Sequence, residues 1–294
     1  MAKTVVETYE LYGGTVKLDY FPNSHKYVID GDRKIGVTTV TGIINKEALM
    51  LWPLSEAITY LKNALSEDTK WTTEELGTMV DNSSKAYLKK QLRGTDAGTR
   101  AHDYLERWLR YVNGETKSIE ETLTVTPLTS TFGKDTSSDE YIRASDENNL
   151  CKAIDAFKVW YKENNVKMLD VEKIIYSKKY DYCGRFDAIL KIDGKVYVAD
   201  FKTSNPSRDF QHGVYPENFS QLGGYDIAYS EEFPDFKIDG HAVINLSKKT
   251  GKLNIELSED REVNREFYLA TLSVKRSMQF WTNKLKYQDH ETRK

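Results

Sequence analysis

The chain has 294 residues, 39% of them hydrophobic, 12% aromatic and 30% charged, with 42 basic against 45 acidic side chains. That apolar content excludes wholesale disorder and suffices for one large domain or two small ones. Apolar runs such as Val196–Ala199 are far shorter than the roughly 20 residues a bilayer span needs. A formal charge of −3 argues against a passive nucleic-acid coat, which would be basic overall, and leaves room for an enzyme with a local basic channel.

Acidic residues arrive early and no long apolar stretch opens the chain, which predicts neither a signal nor a transit peptide and suggests a soluble intracellular protein. Cys151 and Cys183 alone cannot build a disulfide framework, a cysteine-only zinc site or a four-cysteine iron–sulfur site. The opening reads as short strands, with Val16–Tyr20 and Lys26–Ile29 flanking the turn Pro22-Asn23-Ser24 and Asp30-Gly31 marking a second turn. A helical pattern runs from Thr41 to about Leu65, another over Ser83–Leu92, and a third follows Gly98 with Ala101, Leu105, Trp108 and Leu109 on one face. Residues 116–138 hold 11 Ser or Thr among 23 and read as a loop-like insertion.

From Ser145 the rhythm becomes regular. Leu150, Ile154, Phe157 and Tyr161 form an amphipathic helix stripe ending near Asn164-Asn165. Leu169, Val171 and Ile175 alternate as a strand, Gly184–Ile192 and Lys195–Thr203 are two more, and a helix from about Glu217 to Tyr229 precedes a strand over Phe236–Leu246. The chain closes on a long helix with the stripe Val263, Phe267, Ala270, Val274, Met278, Trp281 and Leu285. Consecutive strands between helices predict an α/β (α+β) fold with a central mixed sheet flanked by helices.

Asp193-Gly194 between two apolar runs is a strong hairpin signal, because a type I′ turn needs positive φ at both central residues. A two-residue loop there places Asp187 directly opposite Asp200 and Arg185 opposite Lys202, all on one face, with Phe186, Ala188, Leu190, Tyr197, Ala199 and Phe201 on the core face. Like charges so opposed are destabilising and need compensation. A divalent cation supplies it, and the neighbouring Lys202 adds a second positive charge. A metal beside a fixed ammonium is suited to stabilising a phosphoryl transition state. Asp-x-Lys alone carries no information, since the chain contains five; the one at Asp200 ends an apolar strand and faces another aspartate.

Gly184-Arg-Phe-Asp187, then Asp200-Phe-Lys202-Thr203 thirteen positions on, then Gln221-x-x-x-Tyr225, resembles the RecB-like, phage-type exonuclease branch of the PD-(D/E)XK nuclease superfamily. Upstream, Gly98-Thr-Arg-Ala-His102-Asp-Tyr-Leu-Glu106 is similar to that branch's Gly-x-x-x-His-x-x-Leu-Glu helix. The match covers roughly 95–246. It implies a restriction-endonuclease-like core over 95–294, with 1–94 an N-terminal strand and helical extension that could wall a DNA channel. It also implies that His102, Asp187, Asp200 and the main-chain carbonyl of Phe201 bind Mg²⁺ or Mn²⁺, that Lys202 is the catalytic lysine, and that Gln221 and Tyr225 face the DNA or orient the site.

Glu106 and Glu172 are candidates for support around the metal. Arg100, Arg185, Lys85 and Lys89 are candidates for phosphate contacts, Lys90 and Arg93 lie in the same basic run, and Tyr87 or Trp71 could stack on bases. The expected activity is metal-dependent hydrolysis of linear DNA in phage or bacterial recombination, repair or processing, in the cytoplasm of a bacterial or phage-infected cell. A single-strand-binding or annealing protein is a candidate partner. Neither an iron–sulfur cluster nor a bound nucleotide is expected. An endonuclease, an RNA nuclease and a non-catalytic DNA-binding protein are the alternatives, and oligomeric state stays open.

Overall fold

The computed structural model describes residues 5–44, 52–65, 70–120, 122–125 and 139–291. A meander of β1 (Glu7–Leu11), β2 (Val16–Phe21), β3 (Lys26–Ile29) and β4 (Asp32–Gly36) opens the chain and leads into the short helix α1 (Val37–Thr41). Helices α2 (Trp52–Ala64), α3 (Thr73–Val112) and α4 (Asp139–Glu163) follow. Next come β5 (Lys167–Ser177), β6 (Tyr182–Ile192), β7 (Lys195–Lys202), α5 (Pro216–Glu232), β8 (Gly240–Leu246), β9 (Leu253–Ser258) and α6 (Arg261–Glu291).

All nine strands join one mixed sheet. β4 runs parallel to β6 and β7 parallel to β8, while the other pairs are antiparallel. β5 covers one edge of β6; the other edge is shared, with β4 pairing at Tyr182–Cys183 and β7 pairing from Ala188 onward. Between those two partners, Gly184–Asp187 of β6 are left unpaired on that edge. A cleft opens at this split.

The two faces of the sheet are both covered, so the central strands are apolar on both sides. On one face Ala188, Leu190, Tyr197, Ala199 and Phe201 pack against Ala101, Leu105 and Trp108 of α3 and Ile154 and Phe157 of α4. On the other, Ile189, Val198 and Val243 pack beneath Leu222 and Tyr225 of α5 and Tyr268 of α6. The glycine pair Gly223-Gly224 lets α5 and α6 cross closely, since a Cβ at Gly224 would meet the Tyr268 ring at 2.6 Å. A polar knot ties the same elements together. Asp226 is fully buried and accepts hydrogen bonds from Arg261 at 2.6 and 2.7 Å and from Arg265 at 2.7 and 2.9 Å. It also faces His241 Nε2 at 3.2 Å, and because the Asn264 amide donates to His241 Nδ1, the proton on Nε2 points at Asp226.

Several expectations are corrected. The separate helices over Ser83–Leu92 and beyond Gly98 are one 40-residue helix, α3, which starts at a capping box between Thr72 and Glu75. The helical pattern from Thr41 is not continuous: α1 ends at Thr41, residues 45–51 lie outside the described ones, and α2 starts at Trp52. Part of the Ser/Thr-rich insertion is in contact with the core, since Leu123 is buried; residues 126–138 lie outside the described ones. Of the stripe on the closing helix, Val263, Ala270, Val274, Met278, Trp281 and Leu285 face solvent and Phe267 is half-buried, while α6 buries Asn264, Tyr268, Thr271 and Leu272. Among the described residues no helix is long and apolar enough to cross a membrane.

Candidate active site

The β6–β7 hairpin turns at Asp193-Gly194, both at positive φ, and the register runs as the turn dictates from Ile192↔Lys195 to Ala188↔Ala199. The ladder then stops, one pair short of the two aspartates. Asp187 fills the place of the next ladder bond with its own carboxylate, accepting the Phe201 N–H at 2.6 Å. The two strands splay where like charges would have been directly opposed. Across β6, Glu172 on β5 adopts φ +51°, a left-handed conformation for a non-glycine residue in a strand. The alternation of β6 changes face at the same level: Phe186 joins the α5 side of the core, against the expectation that it shares a face with Ala188 and Leu190. Arg185 does not reach Lys202 either; it forms an ion pair with Glu172 and lies over the Tyr20 ring.

Four separately placed motifs meet at this point. His102, from the second half of α3, brings Nδ1 to 3.5 Å from the Asp187 carboxylate. Asp200, at the end of β7, is 1% exposed; its Oδ1 accepts the Gln221 amide at 2.9 Å and its Oδ2 rests against the Lys202 ammonium. Gln221 also donates to the Tyr225 hydroxyl at 2.8 Å, and its carbonyl oxygen accepts from Lys202 at 3.4 Å. Gln221 and Tyr225, one turn apart on α5, therefore fix the orientation of Asp200 from below.

The motif glycines are where these elements touch. A Cβ on Gly184 would stand 2.9 Å from the Tyr225 ring and 3.0 Å from Val37, and one on Gly98 would stand 3.0 Å from the Thr203 hydroxyl. Replacing Gly184 with valine should push the Tyr225 ring off Gln221 and cut activity by about a hundredfold, the cost of misplacing a catalytic group by about 1 Å. Thermal unfolding run beside the activity assay separates this from global loss of fold.

Burial pushes the Asp200 carboxyl up to about 6; the Lys202 ammonium opposes that shift and the Asp187 charge adds to it. For Asp187 burial acts upward too, but His102, Lys202 and the Phe201 N–H outweigh it and hold the carboxyl below its usual range. Burial disfavours charge on His102, yet the facing Asp187 raises its affinity for a proton. Burial likewise opposes charge on Lys202, and Asp200 and Asp187 overcome it, so the side chain is an ammonium and a poor base. Glu172 is pushed up to about 8, by burial first and by the Asp187 charge second, with Arg185 opposing.

Among the described residues no three His, Cys, Asp or Glu side chains stand in ligating positions around one point. Here Asp187 faces His102 and Asp200 is paired with the Lys202 ammonium. The donor set nonetheless suits a hard divalent ion: two aspartates from neighbouring strands, one of them 1% exposed, and an imidazole facing the other.

The cleft, of about 310 Å³, is lined by His102, Glu172, Arg185, Asp187, Asp200, Lys202, Gln221 and Tyr225. Tyr20, His25 and Tyr27 from the opening meander and Thr38 from α1 complete one wall, a contribution the sequence did not single out. Tyr20 and Tyr27 stack at 5.1 Å, and on strands of alternating pattern they read as ordinary core. The outlying candidates do not line the cleft. Arg100 is tied to Asp96, Glu147 and the Thr124 carbonyl, Glu106 to Arg110, and Lys85 lies exposed on the first half of α3. The side chain of Lys89 lies outside the described residues.

The model of the PD-(D/E)XK nuclease superfamily matches residues 69–289, and the chain belongs to that superfamily. Its members are generally nucleases that act on DNA and typically use divalent metal ions such as Mg²⁺. No curated protein matches the chain. A solved structure titled "Crystal structure of SSO0001" is 15% identical, covering 58% of this chain and 85% of that one, with a TM-score of 0.25.

Proposed function

We propose that this protein is a metal-dependent exonuclease of DNA, of the RecB-like branch, with its active site in the cleft at the split between β4 and β7. The observation that carries this reading is the meeting of His102, Asp187, Asp200, Lys202 and Gln221, drawn from α3, β6, β7 and α5, in one buried-walled cleft. Asp187, Asp200, His102 and the main-chain carbonyl of Phe201 would hold the ion. A divalent ion bound there would supply positive charge to the phosphoryl oxygens and promote ionisation of water.

The chain's own groups do the positioning. Lys202 remains an ammonium and presents a fixed charge where negative charge develops on the phosphate, orienting the attacking water instead of deprotonating it. Gln221 holds the Asp200 carboxylate against rotation through its bond to Oδ1 while anchored to Tyr225. Replacing Gln221 with alanine should weaken metal affinity by about 10- to 100-fold, as expected for a group that orients a ligand. Titration calorimetry with Mn²⁺ measures it.

Residues 1–94 would form one side of the DNA path, consistent with Tyr20, His25 and Thr38 on the cleft wall. Arg185, in the cleft, is favoured over Arg100, Lys85 and Lys89 as a contact to the phosphate backbone. The preference for ends rests on the RecB-like motif string. It is tested with end-labelled linear DNA, single- and double-stranded, beside a closed single-stranded circle. Loss of linear DNA with the circle spared is the expected result, and cutting of the circle would make the enzyme an endonuclease.

A further inference from the structure

Helix α6 carries a largely apolar face that no described residue covers. Val263, Val274, Met278, Trp281 and Leu285 are each more than half exposed, Ala270 is exposed, and every side chain over 276–286 faces solvent. Scattered exposed apolar residues need no explanation, but a contiguous stripe marks an interaction surface.

The stripe has a specific pattern. Val263, Phe267, Ala270, Val274, Met278, Trp281 and Leu285 follow one another at intervals of 4, 3, 4, 4, 3 and 4. That is an 11-residue repeat of about 3.67 residues per turn, so the stripe stays on one side of a straight helix for about 33 Å. The spacing also reads the same in both directions about Val274.

We infer that α6 pairs antiparallel with α6 of a second copy of this chain, about a two-fold axis at Val274. In that arrangement every apolar position meets another: Val263 against Leu285, Phe267 against Trp281, Ala270 against Met278, and Val274 against itself. The smallest residue of the stripe faces a long, flexible one. A parallel pair would instead oppose Trp281 to Trp281 and leave a hole between two alanines.

Charge favours the same partner and direction. Glu262 and Glu266 lie on one flank of the stripe near its start, and Lys284 lies on the same flank near its end. A two-fold axis of this kind brings like flanks together, so Lys284 of each copy arrives between Glu262 and Glu266 of the other. A parallel pair would instead set each flank against the opposite one, where Lys284 meets no glutamate. Among the described residues Glu262 forms an ion pair with Arg265 at 3.2 Å, and Lys284 lies over the Trp281 ring at 5.0 Å; both contacts are on the surface and readily exchanged.

Sedimentation velocity of the full-length protein across micromolar concentrations tests the pairing. A dimer is expected, and the double substitution Met278→Glu/Leu285→Glu should raise its dissociation constant at least about thirtyfold, with helix content preserved by circular dichroism. Lys284→Glu should weaken the dimer, and adding Glu262→Lys and Glu266→Lys to the same chain should restore it. For direction, Val274→Cys should cross-link to itself, whereas Ala270→Cys should cross-link to Met278→Cys and not to itself. A monomer throughout the range, a dimer indifferent to these substitutions, or self-cross-linking of Ala270→Cys would overturn the proposal. So would a stripe whose substitution alters only binding to DNA or to lipid vesicles.

Discussion

Asp200→Asn is expected to reduce DNA cleavage below detection while the protein stays folded, and Lys202→Met to reduce it by about 10²–10³-fold with metal affinity little changed. The asymmetry follows from what each group touches. Asp200 is 1% exposed, its two oxygens are pinned between Gln221 and Lys202, and it is one of the two carboxylates available to a cation. The asparagine keeps the shape and the Gln221 contact but removes the charge. On the proposed reading Lys202 is not a ligand, so its loss would remove a preorganised positive charge and leave the metal donors in place. Calorimetric metal titration beside single-turnover cleavage separates the two roles. If Lys202→Met lost metal binding to the same degree as Asp200→Asn, the division of labour proposed here would be wrong.

The second large effect is on stability. Asp226→Ala should cost about 3 kcal/mol, the lower end for breaking a buried ion pair, because Arg261 and Arg265 are about a fifth to a quarter exposed and regain some hydration. Burial acts to raise the Asp226 carboxyl, but hydrogen bonds from His241, Arg261 and Arg265 outweigh it and hold it far below the usual carboxylate range. A folded-state pKa depressed below the unfolded value of about 3.9 contributes stability fully present above that pH and lost as pH falls below it. Urea denaturation at pH 7 and at pH 3 should therefore show the gap between wild type and Asp226→Asn shrinking at the lower pH. A gap that is constant across that range would mean the carboxylate charge is not what the arginines hold.

How much of this was legible in the sequence depends on the range of the interactions involved. The Asp193-Gly194 turn sets the register through Ala188↔Ala199 by local rules alone, and the mixed sheet follows from strand order. The turn could not reveal that the ladder ends at the aspartates, because Asp187 capturing the Phe201 N–H is a tertiary event. Gly98 reads as the start of a separate helix, yet α3 runs through it. At Gly98 the missing Cβ admits Thr203 at close range, a reason visible only once β7 is in place. At α6 the periodic stripe is legible, yet the face the helix buries in this chain is that of Tyr268 and Leu272. Periodicity identifies an amphipathic face but does not say whether its partner lies in the same chain. Of the site itself, the motif residues were legible as an ordered string; the wall of Tyr20, His25 and Tyr27 was not, because nothing local distinguishes a strand aromatic lining a cleft from one filling a core.

The most direct test of the central claim is hydrolysis of labelled linear DNA by wild type, Asp187→Asn, Asp200→Asn and Lys202→Met side by side, with Mg²⁺, Mn²⁺ or EDTA. The account predicts cleavage by the wild type alone at any appreciable rate, and only when a divalent ion is present. Cleavage in EDTA, or activity surviving undiminished in all three variants, would place the chemistry elsewhere in the molecule.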